Sequence, residues 1–278
     1  MTFEDFARAH GLVINQAIHN RWVATPTTDH PHKRNGRYKL IGDIGWVQNW
    51  ATMEGPAMWK SDKPVAIRPV MIKDDRAELA AKAAKKAAWI LNQCELKTHP
   101  YLEKKGFPND RGNVWETEGK SLLVIPMRRA GRLVGCQMIS AEGEKKFLYG
   151  QATKGAAFMI DAKGIPIFCE GYATALSIRA VMQAINMRYT IYCCFSAGNM
   201  KEVARSIVGG IVIADNDASG TGERFALEIG KPYWLAPTTG HDFNDAHQVE
   251  GVFHVSQSLK KVLISAKRVS VENGPQSA

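Results

Sequence analysis

The chain has 278 residues, 45% hydrophobic and 23% charged, with a formal net charge of +9. That length and balance exclude a disordered chain and leave room for a sizeable core and more than one domain. The surplus of Lys and Arg points to a polyanionic partner, nucleic acid before membrane.

No apolar run approaches the roughly 18 residues of a membrane span. Residues 1–10 are too charged for a signal peptide, so a cytoplasmic location is expected. Five cysteines, Cys94, Cys136, Cys169, Cys193 and Cys194, include no C-x-x-C pair. They are read as small core residues, with adjacent Cys193 and Cys194 on opposite faces of a strand.

Residues 2–20 read as an amphipathic helix broken at His10-Gly11, with Phe3, Phe6, Ala7 and Leu12 near helical spacing. Residues 21–63 change character: Trp22, Trp46, Trp50 and Trp59 lie among scattered His, Lys and Arg, with turn signals such as Asn35-Gly36. Short strands over 37–41 and 45–50 would make a small twisted sheet. Aromatic faces mixed with cations hold single-stranded nucleic acid by stacking its bases and neutralising its phosphates. The same tryptophans could instead fill the core of a small domain. Trp22 and Trp46 are expected inside, and His32, Lys33, Arg34 and Arg37 outside. His30 and His32 are too few for structural Zn2+, which takes four ligands, so a zinc-free module is expected.

An Ala/Lys-rich stretch over 74–93 has the strongest helix propensity in the chain, with Lys82, Lys85 and Lys86 on a solvated face. It would link the small unit to the main body. Residues 121–127 and 132–139 predict a hairpin across Arg128-Arg129-Ala130-Gly131, and a third strand is expected over 145–149.

Beyond residue 165 strands and helices alternate: an apolar run 165–169 stopped by Glu170-Gly171, a helix over 172–185, a strand over 189–195, the loop 196–199, another helix, and a strand 210–214 ending in Asp215-Asn216-Asp217. This order predicts a parallel sheet with right-handed crossovers, whose carboxyl edge binds ligands. Glu170, Asp215 and Asp217 would meet there, and like charges so placed call for a proton or a cation. Oxygen-only ligands favour Mg2+ or Mn2+. Gly171, Gly220 and Gly222 would allow close backbone approach, and a further acidic loop holds Asp242 and Asp245. The bland alternative makes Asp215-Asn216-Asp217 a turn with Asp as a helix N-cap. A final helix is expected over 245–266, with Val249, Val252, Phe253, Val255 and Leu259 as its apolar positions, then a short mobile tail over 267–278.

The combination of Glu170-Gly171-Tyr172-Ala173-Thr174-Ala175-Leu176-Ser177, Asp215-x-Asp217-x-x-Gly220 and Asp242-Phe243-Asn244-Asp245 resembles the Toprim domain of topoisomerases, bacterial-type primases and related nucleases. Ala-Thr-Ala-Leu after Glu-Gly most resembles primases carried by phages and plasmids. Cellular primases usually have an Asp where this chain has Thr174. Asn35-Gly36-Arg37-Tyr38, Gly45-Trp46-Val47-Gln48-Asn49-Trp50 and residues 99–107 are similar to the same group, and residues 121–149 to the catalytic-core subdomain that precedes Toprim. The resemblance implies an α/β fold: a Toprim-like parallel sheet flanked by helices (161–266), preceded by an α+β primase core subdomain (111–160), a helical linker (65–110) and a small β-rich template-binding module (1–64).

It also implies a primase that makes RNA primers on single-stranded DNA from nucleoside triphosphates. Glu170, Asp215 and Asp217 would be catalytic, and with Asp242 and Asp245 would hold Mg2+ or Mn2+. Arg128, Lys146, Arg132 and Arg37 would bind nucleotide or template. A metal-dependent Toprim nuclease and an inactive single-strand-binding accessory protein are the alternatives. A topoisomerase would need a separate domain presenting a nucleophilic Tyr. No Gly-x-x-x-x-Gly-Lys-Ser/Thr occurs, so any helicase would be a separate protein.

Overall fold

A computed structural model describes residues 1–61 and 75–272, with side chains to residue 266. It divides into two units, residues 1–74 and 75–278. Residues 273–278 of the expected tail and the start of the expected linker lie outside the described residues. No described helix is long and apolar enough to cross a membrane.

The first unit opens with α1 (Phe3–Ala9), whose N-terminus is closed by a capping box between Thr2 and Asp5. Contrary to the sequence expectation the helix does not resume after Gly11. Residues 12–20 run as irregular chain held by the bridge Leu12↔Thr27 and tied to the sheet by His19↔Leu40. Strands β1 (Val23–Thr25), β2 (Gly36–Ile41), β3 (Ile44–Asn49) and β4 (Ala57–Lys60) form an antiparallel sheet in chain order. One face carries Tyr38, Leu40 and Val47, which pack with Phe3, Ala7, Leu12 and Ile14 into the core of this unit. The Phe3 ring lies over Gly45, where a Cβ would stand 2.3 Å from it.

The second unit starts with α2 (Arg76–Asn92), expected as part of a linker. Its Ala83, Ala87 and Ile90 are buried against Val124 and Cys136 of an antiparallel sheet and Leu148 just beyond it, while Lys82, Lys85 and Lys86 face solvent. That sheet is β5 (Glu95–Lys97), β6 (Gly112–Thr117), β7 (Lys120–Arg129), β8 (Arg132–Ser140) and β9 (Lys145–Phe147), again in chain order; α3 (Pro100–Lys104) follows β5. The β7–β8 hairpin and β9 stand as expected. The alternate residues Leu123, Ile125 and Ile139 point to the opposite face from α2, into the core shared with the second sheet.

The second sheet comprises β10 (Phe158–Asp161), β11 (Ile165–Cys169), β12 (Tyr189–Cys193), β13 (Ile211–Ala214) and β14 (Tyr233–Leu235), in the order β10-β12-β11-β13-β14. All pairs are parallel except β10 with β12. Helices α4 (Tyr172–Ala184), α5 (Ala197–Arg205), α6 (Thr221–Ile229) and α7 (Phe243–Glu272) complete the layers. Cys193 joins the core on the α4 and α7 side and Cys194 the core with Met200 and Ala226, so the adjacent thiols do face opposite sides. Helix α7 is broken at Gly251, with φ 78°. The break shifts its phase: Val255, Leu259 and Leu263 are buried, whereas Val249, Val252 and Phe253, expected on the apolar face, are exposed.

Candidate functional site

The chain leaves β11 toward β12 on one side and returns to β13 on the other, so β11 and β13 flank the switch point of the sheet, where a crevice opens at the carboxyl ends of the strands. Glu170 follows β11 and Asp215 follows β13. The two strands are direct neighbours through Phe168↔Val212, which sets the two carboxylates side by side.

Asp215 is half-buried, and its Oδ1 is buried with no hydrogen-bond partner. Burial, then repulsion from Asp242, Glu170 and Asp217, pushes its pKa up to about 7, against the pull of Lys145. Glu170 is raised as well, chiefly by burial, while Lys145 and a hydrogen bond from the Ala197 backbone N–H at the start of α5 favour its charge. Asp242 reaches this edge because Asn216 ties the two loops together. Its N–H donates to His241 O at 3.1 Å, its carbonyl accepts from Gly240 at 2.6 Å, and its Nδ2 donates to Ala236 O at 2.8 Å.

The other two acids do different work. Asp217 accepts from the N–H groups of Ser219, Thr221 and Gly222 at 2.9, 3.2 and 2.9 Å, closing the N-terminus of α6. The Ser219 hydroxyl adds a further bond, and these donors hold its pKa near 2. The turn-and-cap reading therefore describes Asp217, while Asp215 is the acid without a structural partner. Asp245 faces Asp242 in a reciprocal cap: Asp245 N–H to Asp242 Oδ1 is 2.8 Å and Asp242 N–H to Asp245 Oδ2 is 3.1 Å. Of the three glycines, Gly222 is the one that needs a close approach, since a Cβ there would lie 2.1 Å from Asp215 O. Gly220 is left-handed at φ 65°, and Gly171 requires neither.

Among the described residues, no three His, Cys, Asp or Glu side chains are gathered tightly enough to hold an ion as they stand. The donor chemistry nevertheless fits a hard divalent cation. It is all oxygen, it includes an orphaned buried carboxylate oxygen, and its repulsion is relieved by positive charge.

Lys145 is the cation that lowers the pKa of both Glu170 and Asp215, while Lys105 lies 3.8 Å from Asp245. The register partner of Lys145 is Ile139, which points into the shared core, and Phe147 on the same face of β9 meets Phe195 edge to face at 6.3 Å. Lys146 pairs with Met138 on the opposite face and forms an ion pair with Glu144 at 3.3 Å. Lys146, expected to bind nucleotide or template, thus lies on the other face of β9 from Lys145. Arg128 donates to Gly131 O at 3.1 Å and lines a cavity of about 360 Å³ with Phe158, Met159 and Tyr192. Arg132 is exposed at the hairpin end. Both lie at the turn end of the β7–β8 hairpin, Arg128 on β7 and Arg132 on β8, roughly 20 Å along the strands from Ile139. Arg37 belongs to the first unit.

Two buried amides also went unnoticed in the sequence. Asn199 accepts from Gly155 N–H at 2.7 Å and donates to Ala156 O and Cys194 O, both at 2.8 Å, clamping the chain before β10 to α5. Asn244 donates to Lys105 O and Ser177 Oγ, both at 2.9 Å, and accepts from Gln248 at 3.0 Å. Ser177 Oγ also lies 3.0 Å from His247 Nδ1, a ring whose pKa burial holds below the ordinary histidine value. Asn244→Ala should therefore cost about 2 kcal/mol by stranding buried partners. The measurement is a urea titration, in which the midpoint falls at unchanged slope; an unchanged midpoint would remove this clamp from the account.

Residues 166–252 match the family profile of the Toprim domain, a span that runs from β11 past the Gly251 break and includes Glu170, Asp215, Asp217, Asp242 and Asp245. Such domains bind Mg2+ or Mn2+ and occur in enzymes that process nucleic acids. The chain carries a Toprim domain, which contains the parallel strands β11 to β14 and the acids at their carboxyl edge.

Proposed function

We propose that this chain is a DNA primase, a template-directed nucleotidyltransferase that makes short RNA primers on single-stranded DNA. The observation that carries the proposal is the convergence of Glu170, Asp215 and Asp242 with Lys145, a cation supplied by the antiparallel sheet upstream. A Toprim nuclease needs the carboxylates; primer synthesis also needs a cation that can take the charge of a triphosphate, and Lys145 meets that need. The resemblance of residues 99–107 and 121–149 to primases supports the same choice.

Glu170, Asp215 and Asp242 would hold Mg2+ or Mn2+, which when bound supplies charge neutralisation of the triphosphate and a lowered pKa for the attacking 3′-hydroxyl. Asp217 and Asp245 act one step back, holding the loops that present Asp215 and Asp242. The Ala197 N–H at the start of α5 favours the charged form of Glu170. Arg128 and Arg132, at the other end of the hairpin, are assigned to the template strand rather than to the triphosphate. The partners are then single-stranded DNA, nucleoside triphosphates and a separate helicase.

The test is incubation of the full chain with unprimed single-stranded DNA, labelled ribonucleotides and Mg2+ or Mn2+, beside Asp215→Ala/Asp217→Ala. Short labelled products that vanish in the variant are expected. Shortened template without new products would make the chain a nuclease, and bound DNA with neither change an accessory protein.

A further inference from the structure

Among the described residues, the core of the first unit lies on one face of its sheet, and what lines the other face is specific. Strand alternation places Arg37 and Lys39 of β2, Trp46 and Gln48 of β3 and Met58 and Lys60 of β4 on that side, because their neighbours Tyr38, Leu40 and Val47 are in the core. Trp22, two residues before Ala24, and Trp50, two after Gln48, share the face. Trp22 and Trp46, expected inside, are therefore both outward; Trp22 is 42% and Trp50 50% exposed. Trp59, with its ring 5.6 Å from Phe3, is the tryptophan of this unit that packs in its core.

The arrangement is ordered. The Arg37 guanidinium lies 4.4 Å from the Trp22 ring centroid and 5.7 Å from that of Trp50. Its Nε and Nη2 donate to Gln48 Oε1 at 3.0 and 2.8 Å, which fixes its plane. Lys39, Trp46 and Met58 form a cross-strand row beside it. Three indoles and a thioether interleaved with Arg37, Lys39 and Lys60 offer flat apolar surface and positive charge at the spacing of one sheet.

We propose that this face binds single-stranded nucleic acid, with bases stacking on Trp22, Trp50 and Trp46 while Arg37, Lys39 and Lys60 neutralise phosphates. Bases in a duplex are already stacked on one another and cannot offer their faces, so the site selects single strands without reading sequence. The inference does not depend on the carboxylate site and holds whichever reaction that site performs.

The test uses the full chain in EDTA, which stops metal-dependent turnover. An oligothymidylate of about 16 nucleotides bearing a photoreactive thymidine analogue serves as probe. Crosslinks are expected at Trp22, Trp46 or Trp50. Trp22→Ala/Trp50→Ala should weaken binding by roughly twentyfold or more, and Trp22→Phe/Trp50→Phe should recover most of it. Crosslinks confined to residues 75–278 would overturn the proposal. So would a duplex that competes as well as the single strand, or an alanine pair that lowers the melting temperature but leaves affinity unchanged, which would make the aromatic row a stabiliser of the sheet.

Discussion

At pH 8 in EDTA, Asp215→Asn is expected to melt roughly 10 °C above the unmodified chain. The folded-state pKa of Asp215 is raised from 3.8 to about 7. Below 3.8 the carboxyl is protonated whether the chain is folded or not, and the two proteins differ little. Between 3.8 and about 7 the unfolded chain releases this proton and the folded chain keeps it, so folding stability falls as pH rises. Above about 7 the folded state carries the full penalty of a crowded, desolvated anion, up to about 4 kcal/mol. Asparagine escapes the penalty, and its amide can donate to the carboxylates of Glu170 and Asp242. The advantage of the variant should shrink to about 1 kcal/mol by pH 4.5. Thermal melts of both proteins across this range check the sign. Mg2+ should raise the melting temperature of the unmodified chain at pH 8 and leave the variant almost unmoved, because binding to the folded state is what stabilises it. An equal gap at every pH, or a variant less stable at pH 8, would mean that Asp215 is not the strained acid.

The edge of the parallel sheet could be read from the chain because each strand announces itself. Residues 165–169 and 211–214 are short apolar runs, and each stops at an acid. The carboxyl-edge rule then brings Glu170 and Asp215 together without knowledge of any contact. What escaped depends on pairing rather than composition. Lys145 and Lys146 are chemically equal, and only the register Ile139↔Lys145 decides which one faces the acids. Trp22 and Trp46 look like core residues by type, yet Tyr38, Leu40 and Val47 occupy the inner face and leave the indoles outside. The phase of α7 turns at Gly251, which puts Val249 and Val252 on the solvent side of a pattern that looks continuous in sequence. Asp217 and Asp245 show the same limit from another direction. An acid one turn before a helix serves equally as ligand or cap, and the hydrogen bonds to Ser219, Gly222 and Asp242 show these two acting as caps.

Lys145→Ala should lower primer synthesis by about 10²-fold in kcat/KM, whereas Lys146→Ala should leave it within about twofold; the first loss is typical of removing one preorganised charge from a phosphoryl-transfer site. Lys146 already spends its charge on Glu144 at the surface, with 72% of its side chain exposed, and such pairs contribute little. Lys145 is coupled to both Glu170 and Asp215, and its presence lowers the pKa of each. Removing it therefore does two things: it strips positive charge from the place where the triphosphate would lie, and it makes the carboxylates harder to ionise. The second effect gives a signature that a general loss of folding would not, since the acid limb of the pH–rate profile should move to higher pH in Lys145→Ala. Lys145→Arg, which keeps the charge, should hold that limb in place even if the rate falls through poorer fit. Equal losses in the two alanine variants would mean that β9 serves the site through its fold alone, and a larger loss in Lys146→Ala would return the role to the residue that the sequence first suggested.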